Sequence, residues 1–337
     1  MSVTIKDIAK KLGISYTTVS RALNRKPQVN EETMEKIIEE AKKMGYQPNA
    51  LARGLVKKYT KTLGLIIPDI TNPYFPEIAR GVEDAARKEG YNVLLCNTNW
   101  DQAQEEAYLK ILQEKRVDGI IMKAVLDNDE NLFHHMNTPL VLLNSRSHEG
   151  NYNYVEIDNV RGGFLAAEHL IQSGYKRIGF IGGTTRSYSN NQRMEGYKLA
   201  LKRYHYPVDE GIILNGEFNT KSGYDLMKKL LKLKNPPDAI FAGNDVIALG
   251  ALYCVQEAKL NIPEDFGVVG FDHVDFAKIP QIQLSTIKQP KYYMAKQALD
   301  ILMKEIKNKD IKVNNKMVIE PQLIIGKTTK NTDIKAV

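Results

Sequence analysis

The stretch VTIKDIAKKLGISYTTVSRALN, residues 3–24, decides what kind of domain opens the chain. Thr4 followed by Asp7 resembles a capping box, and apolar residues recur behind it at helical spacing. Gly13 supplies the left-handed backbone that ends a helix, and Ser15 is a favourable N-cap for the next one. The stretch therefore predicts a helix, a short turn and a second helix.

A third helix is predicted downstream, where Asn30 caps a segment with a continuous apolar face. The spacing of Ala9, Gly13 and Val19 fits a helix-turn-helix. That motif needs a small residue where the helices approach, a flexible turn residue and an apolar anchor on the second helix. We therefore predict an all-α helix-turn-helix domain over residues 1–46.

The net charge of the chain is concentrated at its beginning. The 337 residues carry a formal charge of +7; residues 1–60 hold 12 Lys or Arg against 6 Asp or Glu, while the remainder holds 35 against 34. A basic segment joined to a nearly neutral body is typical of a nucleic-acid-binding module attached to another domain. A solvated basic tail is the alternative, and the helical pattern of the segment argues against it.

The second helix presents candidate base-reading residues. With Val19 turned inward, Tyr16, Thr17 and Ser20 face outward, and Arg21 follows one turn later. Arg21 has the reach and the donor pair for a guanine edge, and a hydroxyl group can donate to a base. A simple surface position is the alternative for each of them.

Residues 47–60 begin with a proline break and contain about two helical turns, too few for a stable helix in water. Leu51 and Leu55 lie at i and i+4 with basic neighbours, a pattern with which minor-groove binders wedge between base steps. Two interpretations stay open, a hinge helix that orders on DNA and a charged interdomain linker.

From Thr62 onward, short apolar strands alternate with amphipathic helices, and the same rhythm restarts after Asp158. Such alternation predicts parallel sheets with helices on both faces. We therefore predict an α/β core, residues 61–337, made of two doubly wound parallel-sheet lobes.

Polar residues follow several of the predicted strands. Ligands of open sheets bind at the carboxyl ends of the strands, and two lobes in sequence leave a cleft there. Carboxylates and amides in this position suit a polyhydroxylated ligand, although each is also a common helix cap or turn residue. The residues are Asp69, Asn72, Asn144, Asn244, Asp245 and Asp272.

Several classes of function find no support in the sequence. Cys96 and Cys254 stand apart in apolar surroundings, so we expect neither a disulfide nor a metal or other cofactor. No nucleophile elbow occurs, and the Gly-Lys-Thr of residues 326–328 lacks the first glycine of a phosphate loop, so an enzyme is not expected. No apolar run is long enough for a membrane span or a signal peptide, and we expect a cytoplasmic protein.

Over essentially its whole length the chain resembles the LacI/GalR family of transcriptional regulators. The motifs that carry the resemblance are VTIKDIA (3–9), VSRALN (19–24), GYQPNALAR (45–53), PDITNPYF (68–75), RMEGY (193–197), GND (243–245), VGFD (269–272) and TIKQP (286–290).

The resemblance implies a sequence-specific regulator, a repressor, that binds as a homodimer to a roughly palindromic operator. A headpiece helix would lie in each major groove, and paired hinge helices would insert Leu55 into the minor groove. No leucine heptads follow Gly326, which favours a dimer over a tetramer. The DNA-contacting residues that the resemblance implies are Thr4, Ser15, Tyr16, Thr17, Thr18, Ser20, Arg21, Asn24, Asn49, Ala52 and Leu55.

The resemblance also implies a core similar to periplasmic sugar-binding proteins, with a sugar or sugar derivative bound between its lobes. The N-terminal lobe would comprise about residues 61–159 and 291–316, and the C-terminal lobe about 160–288 and 317–329. Asn144 is a departure, because many sugar-responsive relatives have Asp there. The implied effector-binding residues are Asp69, Asn72, Phe75, Asn144, Arg193, Phe218, Asn244, Asp272 and Gln289.

Two rival interpretations stay open. The body alone would fit a sugar-binding transport component, but the missing signal peptide and the basic headpiece count against one. A purine-responsive regulator, or one with a phosphoprotein corepressor, would share the fold and reverse the sign of the ligand effect.

Overall fold

The computed structural model divides the chain into two units, Met1–Thr60 and Lys61–Val337. Among the residues it describes, no helix is both long and apolar enough to cross a membrane. The described residues are 3–46, 59–125, 136–145, 152–308 and 315–330.

The first unit forms the three short helices that its sequence pattern predicts. Seven buried residues hold them together: Ile8, Ala9, Val19, Ala22, Val29, Ile37 and Ala41. The helices are α1 (Ile5–Leu12), α2 (Tyr16–Leu23) and α3 (Glu31–Lys43).

Local capping sets the ends of these helices. The Thr4 hydroxyl accepts the Asp7 N–H at 3.4 Å and the Asp7 carboxylate accepts the Thr4 N–H at 2.8 Å, which confirms the capping box. Gly13 ends α1 at a φ of +66°. The side chains of Ser15 and Asn30 accept backbone N–H groups in the first turns of α2 and α3. All four capping predictions are confirmed.

The second unit contains twelve strands and seven helices in its described residues. The strands are β1 (Thr62–Ile67), β2 (Asn92–Asn97), β3 (Gly119–Met122), β4 (Leu140–Leu143), β5 (Asn153–Ile157), β6 (Ile178–Gly182), β7 (Ile213–Asn215), β8 (Ala239–Ala242), β9 (Gly267–Asp272), β10 (Ser285–Lys288), β11 (Lys316–Ile319) and β12 (Gln322–Ile324). The helices are α4 (Tyr74–Lys88), α5 (Gln102–Glu114), α6 (Asn159–Gln172), α7 (Tyr188–Arg203), α8 (Thr220–Leu231), α9 (Asp245–Glu257) and α10 (Lys291–Lys307).

The strands form two six-stranded sheets with the same internal order. The first lobe has the order β11-β5-β4-β3-β1-β2 and the second has β12-β10-β9-β8-β6-β7. In each sheet the order reverses beside the lobe's first strand, which is the switch point where open sheets bind ligands. The prediction of two doubly wound lobes is confirmed.

Two details of the sheets differ from the sequence-based expectation. Strand β11 pairs in parallel with β5 through Ile319, so the chain crosses to the second lobe three residues later than the expected boundary at residue 316. Strand β12 pairs antiparallel with β10, whereas the other described pairs are parallel. A short return strand at a sheet edge can run antiparallel because it needs no helical crossover.

Glycines let the paired helices of the second lobe approach closely. A Cβ atom at Gly163 in α6 would overlap the backbone oxygen of Arg193 in α7, and one at Gly196 would overlap the backbone oxygen of Val160. Only glycine permits contact at this range. The close contact between the two helices therefore fixes the position of the Arg193 backbone relative to α6.

Candidate functional site

The exposed face of α2 carries the predicted base-reading residues. Val19 is fully buried, while Tyr16 keeps 63% of its surface exposed. Thr17 and Arg21 are also exposed, and Ser20 is partly exposed. The burial of Val19 therefore orients this face outward, as predicted.

Other members of the predicted DNA-contacting set already make local hydrogen bonds. The Ser15 hydroxyl accepts the Thr18 N–H at 3.1 Å, and the hydroxyls of the two residues are 2.9 Å apart. Asn24 donates its amide to the Ser20 carbonyl at 2.7 Å. Thr4 belongs to the capping box of α1. These side chains shape the helix ends, and contact with DNA stays a prediction for them.

Asn49, Ala52 and Leu55 lie outside the described residues, as does Leu51. Their roles in a hinge helix stay predictions.

In the second unit a cavity of about 50 Å³ lies where strand ends of both lobes meet. Eight of the nine sequence-predicted effector residues line it. They are Asn72, Phe75, Asn144, Arg193, Phe218, Asn244, Asp272 and Gln289.

A chain of hydrogen bonds crosses this cavity from the first lobe to the second. Asn144, which follows β4 at a φ of +47°, donates to the Tyr74 hydroxyl at 2.6 Å and to Gln289 Oε1 at 3.1 Å. Gln289 in turn donates to Asp272 Oδ1 at 2.6 Å. The Ser189 hydroxyl of α7 donates to the Asn144 carbonyl at 3.1 Å. The two lobes are therefore joined by polar groups that a ligand can also use.

Arg193 is the central cation of the second-lobe wall. It is 5% exposed, donates to the Gly243 carbonyl at 2.6 Å and to Asn159 Oδ1 at 2.9 Å, and lies 3.7 Å from the centroid of the Phe271 ring. Its Nη2 is 3.8 Å from Asp272 Oδ1, an ion-pair distance without a direct hydrogen bond. Burial lowers the pKa of the guanidinium and raises the pKa of the Asp272 carboxyl, because both ionised forms lose hydration.

A strained turn aims Asp272 into the cavity. Asp272 has a φ of +112° and His273 a φ of +52°, values that L residues rarely adopt. The buried Lys291 ammonium holds this turn by donating to the carbonyls of both residues, at 2.7 and 3.1 Å. Lys291 also pairs with Glu77 of α4 at 3.2 Å, so it links the turn to the first lobe.

Asp245 lies beside this wall and is fully buried. It hydrogen-bonds the Thr286 hydroxyl and the Val274 N–H. Burial, together with the nearby Asp272 charge, raises the pKa of its carboxyl to about 8. The neutral acid is therefore a major form of Asp245 near neutral pH.

Asp69 is the one predicted effector residue that the structure places outside the cavity lining. Its carboxylate accepts the N–H of Thr71 at 2.8 Å and the Thr71 hydroxyl at 2.6 Å. Asp69 thus shapes the turn after β1, which is the turn role that the sequence left open as the alternative.

Sequence reasoning missed five polar or aromatic residues of the lining. Tyr74 stands inside a quoted motif, and Lys123 directly follows β3 at the switch point, so both had a usable signal. The remaining three come from loops and a helix N-terminus that no motif marks. The five are Tyr74, Trp100, Lys123, Ser187 and Ser189.

Within the described residues, no group of three or more His, Cys, Asp or Glu side chains is placed to hold a metal ion. Cys96 and Cys254 are both free and buried.

Comparison with known proteins agrees with both units. Residues 4–49 match the family described as bacterial regulatory proteins, lacI family, and residues 167–329 match the periplasmic binding protein-like domain. The HTH-type transcriptional regulator RegA of Clostridium saccharobutylicum is 36% identical over 98% of this chain and 100% of its own length.

Two solved structures cover almost the whole chain. A lac repressor dimer bound to operator and the anti-inducer ONPF matches with a TM-score of 0.88 at 25% identity, over 98% of this chain and 100% of that one. The complex of the transcriptional regulator CelR with cellobiose matches with a TM-score of 0.74 at 27% identity, over 97% and 99%.

A helix-turn-helix unit in the same chain as a two-lobed core of the periplasmic-binding-protein type defines a class of DNA-binding transcriptional regulators. This chain belongs to the lacI family of that class.

Proposed function

We propose that the chain is a repressor that binds a roughly palindromic operator as a homodimer. A small polyhydroxylated effector would lower or raise its affinity for that operator. The effector, a sugar or sugar derivative, would bind in the interlobe cavity. The observation that carries this proposal is the convergence of eight predicted polar and aromatic residues from both lobes on one cavity. Because the target is DNA, we place the protein in the cytoplasm.

The headpiece supports the DNA part of the proposal. Tyr16, Thr17 and Arg21 are exposed on one face of α2, within the first 60 residues, which carry a net charge of +6. Exposed hydroxyls and a guanidinium on a short helix suit a major groove, where each base pair shows a distinct pattern of donors and acceptors.

The chemistry of the cavity supports a hydroxylated effector. Asp272 offers a carboxylate, Arg193 a guanidinium, and Asn144 and Gln289 amides, while Phe75 offers an aromatic ring. Sites of this composition fix ligands by a few placed polar groups among apolar walls. The CelR regulator, to which the chain is similar, was solved with cellobiose.

Ligand binding can act on DNA affinity because the same groups join the lobes. An effector that takes the positions of the Gln289 amide beside Asn144 and Asp272 Oδ1 replaces the Asn144–Gln289 and Gln289–Asp272 hydrogen bonds. It then favours one lobe arrangement over another, and only such differential affinity shifts an equilibrium.

A thermal-shift screen with D-ribose, cellobiose and guanine tests the effector site. A probe at about 100 times its dissociation constant adds about 2.7 kcal/mol to the free energy of unfolding. The Asp272→Asn variant is expected to lose this stabilisation. Asp69→Asn is the matched control, because Asp69 lies outside the cavity lining, and it should keep the full shift. Equal shifts in both variants would place the effector elsewhere.

Selection from a random-sequence duplex library tests the DNA part. We expect an enriched site with two half-sites about one helical turn apart, as a symmetric dimer requires. Fluorescence anisotropy on that site, with and without a stabilising probe, then gives the sign of the ligand effect. A decrease in affinity identifies an inducer, and an increase identifies a corepressor. A selection without any consensus contradicts sequence-specific binding.

A further inference from the structure

One contact between the lobes is aromatic. The rings of Trp100 and Phe218 lie with their centroids 5.5 Å apart and their planes 23° from parallel. Trp100 follows β2 and packs on the first-lobe core, whereas Phe218 follows β7 and packs on the second-lobe core. Both line the cavity and both remain partly exposed, so the pair lies where the cavity meets solvent.

The backbone conformation of the loop after β2 fixes the position of the Trp100 ring. Asn99 and Trp100 have φ values of +53° and +60°, two consecutive left-handed residues with side chains. Such strain persists only where the surroundings hold it. Here the Trp100 N–H donates to the Pro68 carbonyl at 3.2 Å, and Asn97 donates to Asn99 Oδ1 at 2.6 Å.

The position of the Phe218 ring is also fixed by its own lobe. The ring lies directly on Gly183, where a Cβ atom would overlap it. Gly183 follows β6 at the switch point of the second sheet. The two rings therefore come from opposite sides of the cleft, each fixed by its own lobe.

With the rings in contact, the enclosed part of the cavity is smaller than a sugar. Its volume is about 50 Å³, against the ~10–15 Å³ that one water molecule requires, so it holds only a few water-sized groups. A sugar ring with its hydroxyls has more atoms than that. The walls must therefore separate to enclose a sugar. The polar walls are joined across the lobes by hydrogen bonds, whereas the two aromatic rings are in contact through packing alone.

We propose that Trp100 contacts the effector and that Trp100 and Phe218 together form an aromatic gate, which parts to admit a ring-bearing ligand and then stacks on its apolar face. The proposal rests on the effector function proposed above. It assigns Trp100 a role in ligand selection: ligands with a flat or C–H ring face are favoured over acyclic polyols.

The chain contains a single tryptophan, so its fluorescence reports this gate directly. Without any ligand, acrylamide quenching is compared in the full-length wild type, Phe218→Leu and Gly183→Ala, the latter displacing the Phe218 ring without removing it. We expect the quenching constant to rise about twofold in both variants, because Phe218 covers one face of the indole. Unchanged quenching and an unchanged emission maximum in both variants would overturn the gate.

Two control variants are available in the same lobe. Phe164 is partly buried on a helix away from the cavity, and Gly211 has only the Asp209 carboxylate near its Cβ position, at 3.1 Å. Phe164→Leu and Gly211→Ala should leave the quenching of Trp100 at the wild-type value. A change in either would mean that the effect is global rather than local.

A second measurement tests the ligand contact with D-ribose, cellobiose and the acyclic polyol ribitol as probes. Trp100→Leu is expected to weaken binding of a ring probe about two- to tenfold in a thermal-shift titration, and Trp100→Phe to restore it, because a lost aromatic contact is worth that much. A probe that stabilises the wild type without altering Trp100 emission overturns the gate while the effector function stands. If none of the probes stabilises the wild type, the proposed effector class fails and the quenching comparison still decides the gate.

Discussion

Arg193→Met is the sharpest test of how the cavity wall is held together. The methionine fills a similar volume but loses the hydrogen bonds to the Gly243 carbonyl and to Asn159. It also leaves the buried Asp272 without a cation 3.8 Å away. Breaking a buried pair on one side costs about 3–5 kcal/mol, mostly because the remaining charge stays buried. We expect a loss of this size in the free energy of unfolding of the second unit.

The assay is urea unfolding followed by circular dichroism, for the wild type, Arg193→Met, Asp272→Asn and the double variant. If the carboxylate that has lost its guanidinium dominates, the double variant recovers part of what Arg193→Met loses, because the asparagine side chain carries no charge. The slope of the free energy against urea must stay constant for the comparison to hold. A loss below about 1 kcal/mol, or purely additive single effects, would refute the coupling.

The contacts of Asp272 also determine which substitution is the better probe of ligand binding. Asp272 accepts a hydrogen bond from Gln289, and its backbone carbonyl is bound by Lys291. An alanine at this position therefore disturbs the wall as well as any ligand contact. Asp272→Asn keeps the shape and an acceptor, so it is the better probe of the effector site.

The described contacts lead to three more expected outcomes. Burial raises the pKa of Asp245 to about 8, so the folded chain keeps a proton that the unfolded chain releases. The free energy of unfolding therefore falls as the pH rises from 3.8 towards 8. Asp245→Asn should reduce this pH dependence in urea unfolding. The pKa of His169 is lowered to about 4 by burial, which gives the opposite slope but only below pH 6.5, so the comparison is made between pH 6.5 and 8. Gly196→Ala should prevent the close packing of α6 on α7, because its Cβ would overlap the Val160 backbone, and a lower melting temperature checks this. Arg21→Ala should reduce discrimination between the selected site and random DNA by ~1–3 kcal/mol in anisotropy titrations, while affinity for both falls steeply with salt; unchanged discrimination would exclude Arg21 as a base reader.

The headpiece was predictable because its signals are local. A capping residue acts on an N–H three residues away, and the burial of Val19 and Ala22 turns Tyr16 and Arg21 outward on the same short helix. The two-lobe core was predictable for a related reason, since the alternation of strand and helix patterns leaves few topologies. Eight of the nine predicted effector residues line the cavity. The polar strand ends indicated four of them, and the family resemblance indicated the other four.

Only the tertiary structure decided what depends on contacts between distant segments. Asp69 and Asn72 follow the same strand, yet Asp69 turns to Thr71 and Asn72 faces the cavity. The single tryptophan carries no motif, and the role proposed for it follows from a stacking partner more than one hundred residues away. The raised pKa of Asp245 likewise arises from burial and from the Asp272 charge, which belongs to a strand end 27 residues further along the chain. Hydrogen bonds between residues close in sequence can be predicted from the sequence. Burial and contacts between the lobes depend on segments that only the folded chain brings together.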